Sequence, residues 1–104
     1  MKREFGPAVY LLASQRNGTL YTGATSDLIG RIYKHRNGLL PGFTREYGVK
    51  RLVWFERHAT MESAIIREKR IKKWSRAWKL ALIEADNPDW RDRAEDLGLE
   101  PLDS

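Results

Sequence analysis

Apolar and polar positions in the first quarter of the chain follow the pattern of a β-hairpin. Residues 9–12 form a mostly apolar run rich in β-forming side chains, as expected of a strand covered on both faces. Residues 14–18, which end in Asn-Gly, have the sequence of a turn. Residues 19–24 are therefore predicted to return as the antiparallel partner strand. Gly23 lacks a side chain and would let another group approach this strand closely.

A change to helical spacing follows the hairpin. Leu28 and Ile32 form an apolar stripe in a predicted helix that ends near residue 36, with Thr25 or Ser26 as the N-cap and Asn37-Gly38 as the stop. Residues 52–55 are rich in β-forming side chains and predict a third strand. The connecting loop, residues 39–51, mixes aromatic and basic side chains. This mixture is typical of a segment that stacks on bases and pairs with phosphates, and it is equally compatible with a loop packed against its own domain.

Two further helices are predicted in the second half of the chain. The first spans about residues 61–74 after the N-cap Thr60, and the second spans residues 76–85 after the N-cap Ser75. The expected inward stripe of the first helix is Met61, Ala64, Ile65 and Ile71, and that of the second is Trp78, Ala81 and Leu82. Glu68 falls within the apolar stripe of the first helix, where a carboxylate is costly unless it is paired, hydrogen-bonded or bound to a metal.

Composition limits the classes of function. The 104 residues suffice for one domain with its own core, and the absence of cysteine excludes disulfides and thiolate metal sites and fits a cytoplasmic protein. No membrane span is expected. The net charge is +5, but from Glu84 onward eight acidic residues face two arginines, which leaves +11 on the preceding part. A clustered basic surface favours a nucleic-acid partner, the alternative being a surface that only aids solubility.

Five side chains could together hydrolyse a phosphodiester. Arg31 and His35 lie four residues apart on one helix face, Tyr10 and Tyr21 lie on the first two strands, and Glu68 lies on the later helix. The carboxylate would hold one Mg²⁺ or Mn²⁺ ion, the arginine would stabilise charge on the phosphate, and a tyrosine or the histidine would help to deprotonate water. Taken singly, each has a structural interpretation: strand tyrosines in a core, a solvated Arg–His face, and a glutamate paired with Arg31 or Lys72.

The order and spacing of these residues resemble the GIY-YIG nuclease superfamily, in particular its small stand-alone members and the N-terminal domain of the excision-repair incision subunit. The family's two triplets correspond to Ala8-Val9-Tyr10 and Tyr21-Thr22-Gly23, with Arg31 ten residues after the second tyrosine and His35 four further on. The segment around Glu68 resembles the glutamate helix of the family. The resemblance covers about residues 6–90.

The resemblance implies an α+β fold, a three-stranded antiparallel sheet flanked by helices. It also implies a metal-dependent endonuclease, with Tyr10, Tyr21, Arg31, His35 and Glu68 as the catalytic residues and Glu68 as the metal ligand. We expect the nuclease domain at residues 1–90 and an acidic tail, partly disordered, at residues 91–104. The basic side chains expected to guide the nucleic-acid backbone are Arg45, Lys69, Arg70, Lys72, Lys73, Arg76 and Lys79.

The leading hypothesis is therefore an endonuclease that acts on DNA rather than RNA, in repair or in the processing of DNA structures. The alternative is a catalytically weak or inactive nucleic-acid-binding module of the same fold. A third hypothesis is a protein-interaction domain that recruits a partner through its acidic tail.

Overall fold

The computed structural model describes residues 6–102. The first residues of the domain expected at 1–90 and the end of the acidic tail expected at 91–104 fall outside this range. The core of the fold is a three-stranded antiparallel sheet in the order β2-β1-β3, with β1 at Ala8–Ala13, β2 at Leu20–Thr25 and β3 at Arg51–Arg57. All six residues of β1 are buried, which confirms a central strand covered on both faces. The predicted fold class is correct.

Helices cover both faces of this sheet. They are α1 (Leu28–Arg36), α2 (Phe43–Glu46), α3 (Met61–Lys72), α4 (Arg76–Asp86) and a 3₁₀ helix at Arg93–Leu97. On one face Leu28 and Ile32 of α1 pack with Tyr10 and Leu12, and on the other Ile71 of α3 packs with side chains from α4 and from the sheet. Within residues 6–102, no helix has the length and apolar character needed to cross a membrane.

Capping explains where the helices begin. Thr60 and Ser75 accept hydrogen bonds from the backbone amides of Ser63 and Trp78, as expected of N-cap residues. At α1 the prediction of Thr25 or Ser26 was wrong. The N-cap is Asp27, whose carboxylate accepts from the Gly30 amide at 3.2 Å, while the Thr25 hydroxyl accepts from the Asp27 amide.

Part of the predicted helix packing is also wrong. Trp78 is 63% exposed and Ile65 38% exposed, so neither belongs to the core. The buried position of α4 is instead Ile83, which packs with Trp90. Periodicity identified these helices correctly, but it did not identify which apolar side chains the neighbouring elements would cover.

The acidic segment after Trp90 includes side chains that are built into the fold. Asp92 is buried and its carboxylate accepts from the Leu52 amide at 3.2 Å, from the Ala94 amide at 3.1 Å and from the Arg36 guanidinium at 2.7 Å. Arg36 also donates to the Glu100 carbonyl. These bonds connect α1, β3 and the 3₁₀ helix on the face of the sheet that carries Tyr10.

Candidate active site

The sheet register places Tyr10 beside Gly23. Tyr10 of β1 is paired with Gly23 of β2, and Leu12 is paired with Tyr21, so both tyrosines point to the same face. A Cβ atom on residue 23 would lie 2.5 Å from Cζ and Oη of Tyr10. The group that approaches Gly23 closely is therefore a tyrosine of the neighbouring strand.

His35 connects this tyrosine to α1 and α2. Its Nε2 lies 2.9 Å from the Tyr10 hydroxyl and its Nδ1 lies 3.0 Å from the Thr44 hydroxyl. Tyr10, His35 and Thr44 are all buried, at 1%, 4% and 6% exposure. A tautomer with the proton on Nδ1 donates to Thr44 and leaves Nε2 to accept from Tyr10, whereas the other tautomer reverses both bonds.

Burial, and then the positive charge of Arg31, lower the pKa of His35 from 6.5 to about 4. The imidazole is therefore neutral near pH 7. Between pH 6.5 and 4 the unfolded chain binds a proton at this residue while the folded chain does not, so falling pH favours unfolding across that window.

The pKa of the Tyr10 hydroxyl is raised above its ordinary value of 10.0, first by burial and next by Tyr21. Arg31 acts in the opposite direction and Glu68 in the same direction as burial. A cation on α1 and a carboxylate on α3 thus both act electrostatically on the same phenol. The phenol is protonated at neutral pH, and His35 Nε2 lies at hydrogen-bonding distance from its oxygen.

A pocket of about 200 Å³ opens next to these groups. Tyr21, Arg31 and His35 form part of its wall, and Leu40, Pro41, Phe43 and Thr44 form the rest. The exposed Arg31 forms the charged side of the pocket. The buried ring of His35, one turn later on α1, belongs to its aromatic side. This combination suits an anion attached to a flat ring.

Glu68 occupies the middle of α3, with 18% of its side chain exposed. Lys72 lies one turn later, with Nζ 3.5 Å from a carboxylate oxygen of Glu68. Within residues 6–102 no group of three or more His, Asp or Glu side chains is arranged to hold a metal ion. A single carboxylate nevertheless fits Mg²⁺ or Mn²⁺, because Mg²⁺ usually binds one or two carboxylates and completes its shell with water and substrate phosphate oxygens.

The neighbours of Glu68 on α3 have different roles. Arg67 faces the body of the domain: it donates to the Glu56 carboxylate at 3.2 Å and lies over the rings of Trp54 and Trp74. Lys69 and Arg70 are exposed.

The remaining basic residues also differ in their environments. Lys73 and Arg45 are exposed, whereas Lys79 is half-buried. The Arg76 guanidinium donates to the carbonyls of Asn17 and Gly18, each at 2.7 Å, so it holds the hairpin turn.

Two parts of the site could not be read from the sequence. Thr44 and Phe43 belong to α2, which was expected to be loop. Four residues are too few to show helical periodicity, and a threonine in a loop is a weak signal. The aromatic content of residues 39–51 was the only indication that this segment contributes to a site.

A small antiparallel sheet flanked by helices, with tyrosines of two paired strands facing a histidine and an arginine of the next helix, is the arrangement expected of a GIY-YIG domain. The family model described as the GIY-YIG catalytic domain matches residues 6–81. The chain therefore belongs to the GIY-YIG family, a family of nucleases.

Its relatives are small proteins that carry the name UPF0213. A UPF0213 protein of Clostridium perfringens is 42% identical over 77 residues, which is 74% of this chain and 82% of that protein. One from Staphylococcus epidermidis is 37% identical over 68 residues, 65% of this chain and 83% of that protein. The solution NMR structure of a UPF0213 protein from Bacillus halodurans covers 84% of this chain and 92% of its own, with 32% identity and a TM-score of 0.53.

Proposed function

We propose that this protein is an endonuclease that hydrolyses phosphodiester bonds in DNA with one Mg²⁺ or Mn²⁺ ion held by Glu68, in repair or processing of DNA structures in the cytoplasm. One observation carries the proposal. The Tyr10 hydroxyl lies 2.9 Å from His35 Nε2, and the charges of Arg31 and Glu68 both act on that hydroxyl. A proton acceptor, a phosphate-binding cation and a metal-binding carboxylate thus act on one buried group.

The arrangement suggests how the proton of an attacking water would move. The water donates to Tyr10 Oη while the Tyr10 proton passes to His35 Nε2, which requires the tautomer that donates from Nδ1 to the Thr44 hydroxyl. His35 is neutral at pH 7, because its pKa is about 4, so the Nε2 lone pair is free to take the proton. The same low pKa makes the imidazole a weak base that holds this proton only transiently. Thr44 is a positioning residue in this scheme, since its hydroxyl can accept the Nδ1–H hydrogen bond of the required tautomer and hold the ring in place.

Arg31 would bind the scissile phosphate from the wall of the 200 Å³ pocket. Its planar guanidinium can donate two parallel hydrogen bonds to phosphate oxygens, and it remains charged throughout the reaction. A divalent ion bound by Glu68 would polarise the phosphate and stabilise the leaving oxygen.

The exposed cations at the end of α3 would contact further phosphates of the bound nucleic acid. Lys69, Arg70 and Lys73 are exposed and Lys72 is half exposed, so they can pair with phosphates along a strand. Lys79, Arg76 and Arg45 are proposed to extend this surface, with Arg76 also serving the hairpin turn. DNA is favoured over RNA because the chain resembles the N-terminal domain of the excision-repair incision subunit.

The test is cleavage of a panel of branched, flapped and single-stranded DNA substrates by the purified protein in Mg²⁺ or Mn²⁺. Glu68→Ala should abolish cleavage and leave DNA binding largely intact, because the carboxylate serves the ion rather than the strand. Glu62→Ala is the matched control, since Glu62 is an exposed carboxylate in the first turn of the same helix. Equal cleavage by Glu68→Ala and the unmodified protein would refute the assignment.

The second candidate is a nucleic-acid-binding module without turnover. It is favoured by the single carboxylate at the site and by the proximity of Lys72 to it. This candidate predicts salt-sensitive DNA binding with no cleavage of any substrate in the panel under either ion.

A further inference from the structure

Three aromatic rings form a row that begins at the candidate active site and ends in solvent. The ring centroids of Tyr21 and Phe43 are 6.4 Å apart with planes inclined by 27°, and those of Phe43 and Tyr47 are 4.8 Å apart with planes inclined by 44°. Tyr21 is in turn 5.6 Å from the His35 ring. We call Tyr21, Phe43 and Tyr47 the aromatic shelf.

The outer part of the shelf is exposed to solvent. Phe43 is 44% exposed and Tyr47 57% exposed, whereas Thr44 between them is buried. An aromatic pair that served only to stabilise α2 would be expected to turn its faces into the core, where burial of apolar area is favourable. The exposure of both rings therefore suggests that they bind something outside the domain.

The shelf is held in a fixed position relative to the catalytic groups. Thr44 bonds His35 Nδ1 at 3.0 Å, and Phe43 contributes to the wall of the pocket that contains Arg31 and His35. A ring stacked on Phe43 would thus lie beside an anion bound by Arg31. A nucleotide offers this pair of groups, a phosphate joined through a sugar to a flat aromatic base.

The charge around the shelf favours the same occupant. Arg31 lies in the pocket and the chain has a net charge of +5, while the exposed Arg45 and Glu46 of α2 offset each other. An exposed aromatic surface next to cations is typical of proteins that bind single strands, in which bases stack on the rings and phosphates pair with the cations.

We infer that the aromatic shelf stacks an unpaired base of the substrate strand next to the phosphate that Arg31 binds, so that the substrate is single-stranded at the cut. In a continuous duplex the neighbouring bases cover the faces of each base, and only unpaired or extruded bases expose them. The inference rests on the proposed function, because it assigns a substrate class to the same site. Phe43 and Tyr47 are therefore specificity-determining residues.

The test measures binding in EDTA, so that it does not depend on cleavage. Fluorescence anisotropy would compare a labelled single-stranded oligonucleotide with the duplex of the same sequence. Changing both Phe43→Ala and Tyr47→Ala should weaken single-strand binding by roughly 5- to 150-fold per stacked base. Duplex binding should be unchanged.

Two further variants separate stacking from other effects. Phe43→Trp should retain single-strand affinity because it keeps an aromatic face, whereas Phe43→Leu, which keeps only apolar bulk, should lose it. The matched control is Tyr33→Ala, which removes a 52% exposed aromatic of α1 that lies outside the shelf. None of these changes removes a charge, so the salt dependence of binding should keep its slope.

Several results would overturn the inference. One is an unchanged single-strand affinity in the Phe43, Tyr47 double variant, and another is an equal loss of duplex affinity in that variant. A third is an equal loss of single-strand affinity in Tyr33→Ala, and a fourth is the absence of single-strand binding by the unmodified protein. Failure of the proposed nuclease activity would be seen separately, as an absence of metal-dependent cleavage with the binding pattern intact.

Discussion

Gly23 is the position at which the smallest change in sequence should disturb the site most. A Cβ atom at this residue would lie 2.5 Å from both Cζ and Oη of Tyr10, whereas ordinary contacts are 3.4–4 Å. The Tyr10 ring would have to retreat by about 0.9 Å, the difference between 3.4 and 2.5 Å. It could not do so and keep its 2.9 Å bond to His35 unless that buried residue also moved.

The expected cost of Gly23→Ala follows from these contacts. Overpacking of a core costs about 1–3 kcal/mol, and loss of one hydrogen bond costs about 0.5–1.5 kcal/mol. Replacing a strand glycine returns about 0.5–1 kcal/mol, since glycine loses the most backbone freedom on folding. The free energy of unfolding should therefore fall by about 2 kcal/mol.

Denaturant unfolding combined with a double-mutant cycle tests this reasoning. In a Tyr10→Leu background the clashing atoms are absent, so Gly23→Ala should cost less than about 0.5 kcal/mol, and the difference between the two backgrounds measures the coupling. Gly6→Ala is the matched control because a Cβ there meets no atom within 4 Å. A stable Gly23→Ala protein, or the same cost in both backgrounds, would refute the assigned role of Gly23. In the unmodified background the ¹⁵N shifts of the His35 ring should also change.

Three further predictions concern stability and binding. Because the pKa of His35 is lowered to about 4, the free energy of unfolding should fall by at most about 3 kcal/mol as pH drops from 6.5 to 4, and His35→Gln should remove that component from denaturant titrations. Asp92→Ala should destabilise the fold by about 3–5 kcal/mol, because it leaves the buried Arg36 guanidinium without a carboxylate, while Asp96→Ala, which removes the exposed pair with Arg91, should have little effect. Replacing Lys72 and Lys73 by alanine should weaken DNA binding and reduce the salt slope by up to about 1.8.

Each of these has a clear contrary result. An equal loss of stability at low pH in His35→Gln and the unmodified protein would show that the buried imidazole is not the cause. Equal unfolding curves for the two aspartate variants would mean that the buried pair contributes no more than the exposed one. An unchanged salt slope would remove both lysines from the footprint.

The sequence by itself determined the three strands and the three longer helices. Strands repeat their apolar positions every two residues and helices every three to four. The apolar run of β1 and the N-caps Thr60 and Ser75 were therefore sufficient to predict β1, α3 and α4. The positions of Tyr10, Tyr21, Arg31, His35 and Glu68 could be proposed from order and spacing. Their roles stay predictions until cleavage is measured.

Only the tertiary structure decided which side chains contact one another at the candidate active site. The bond from Thr44 to His35 and the stacking of Phe43 on Tyr21 connect α2 to α1 and to β2. A helix of four residues is too short to produce a periodic pattern, so the sequence did not show it. The exposure of Trp78 likewise depends on which elements pack against α4, and local pattern does not contain that information. Gly23 shows the difference most directly. Its lack of a side chain is visible in the sequence, but the tyrosine that requires it is identified by the pairing of two strands.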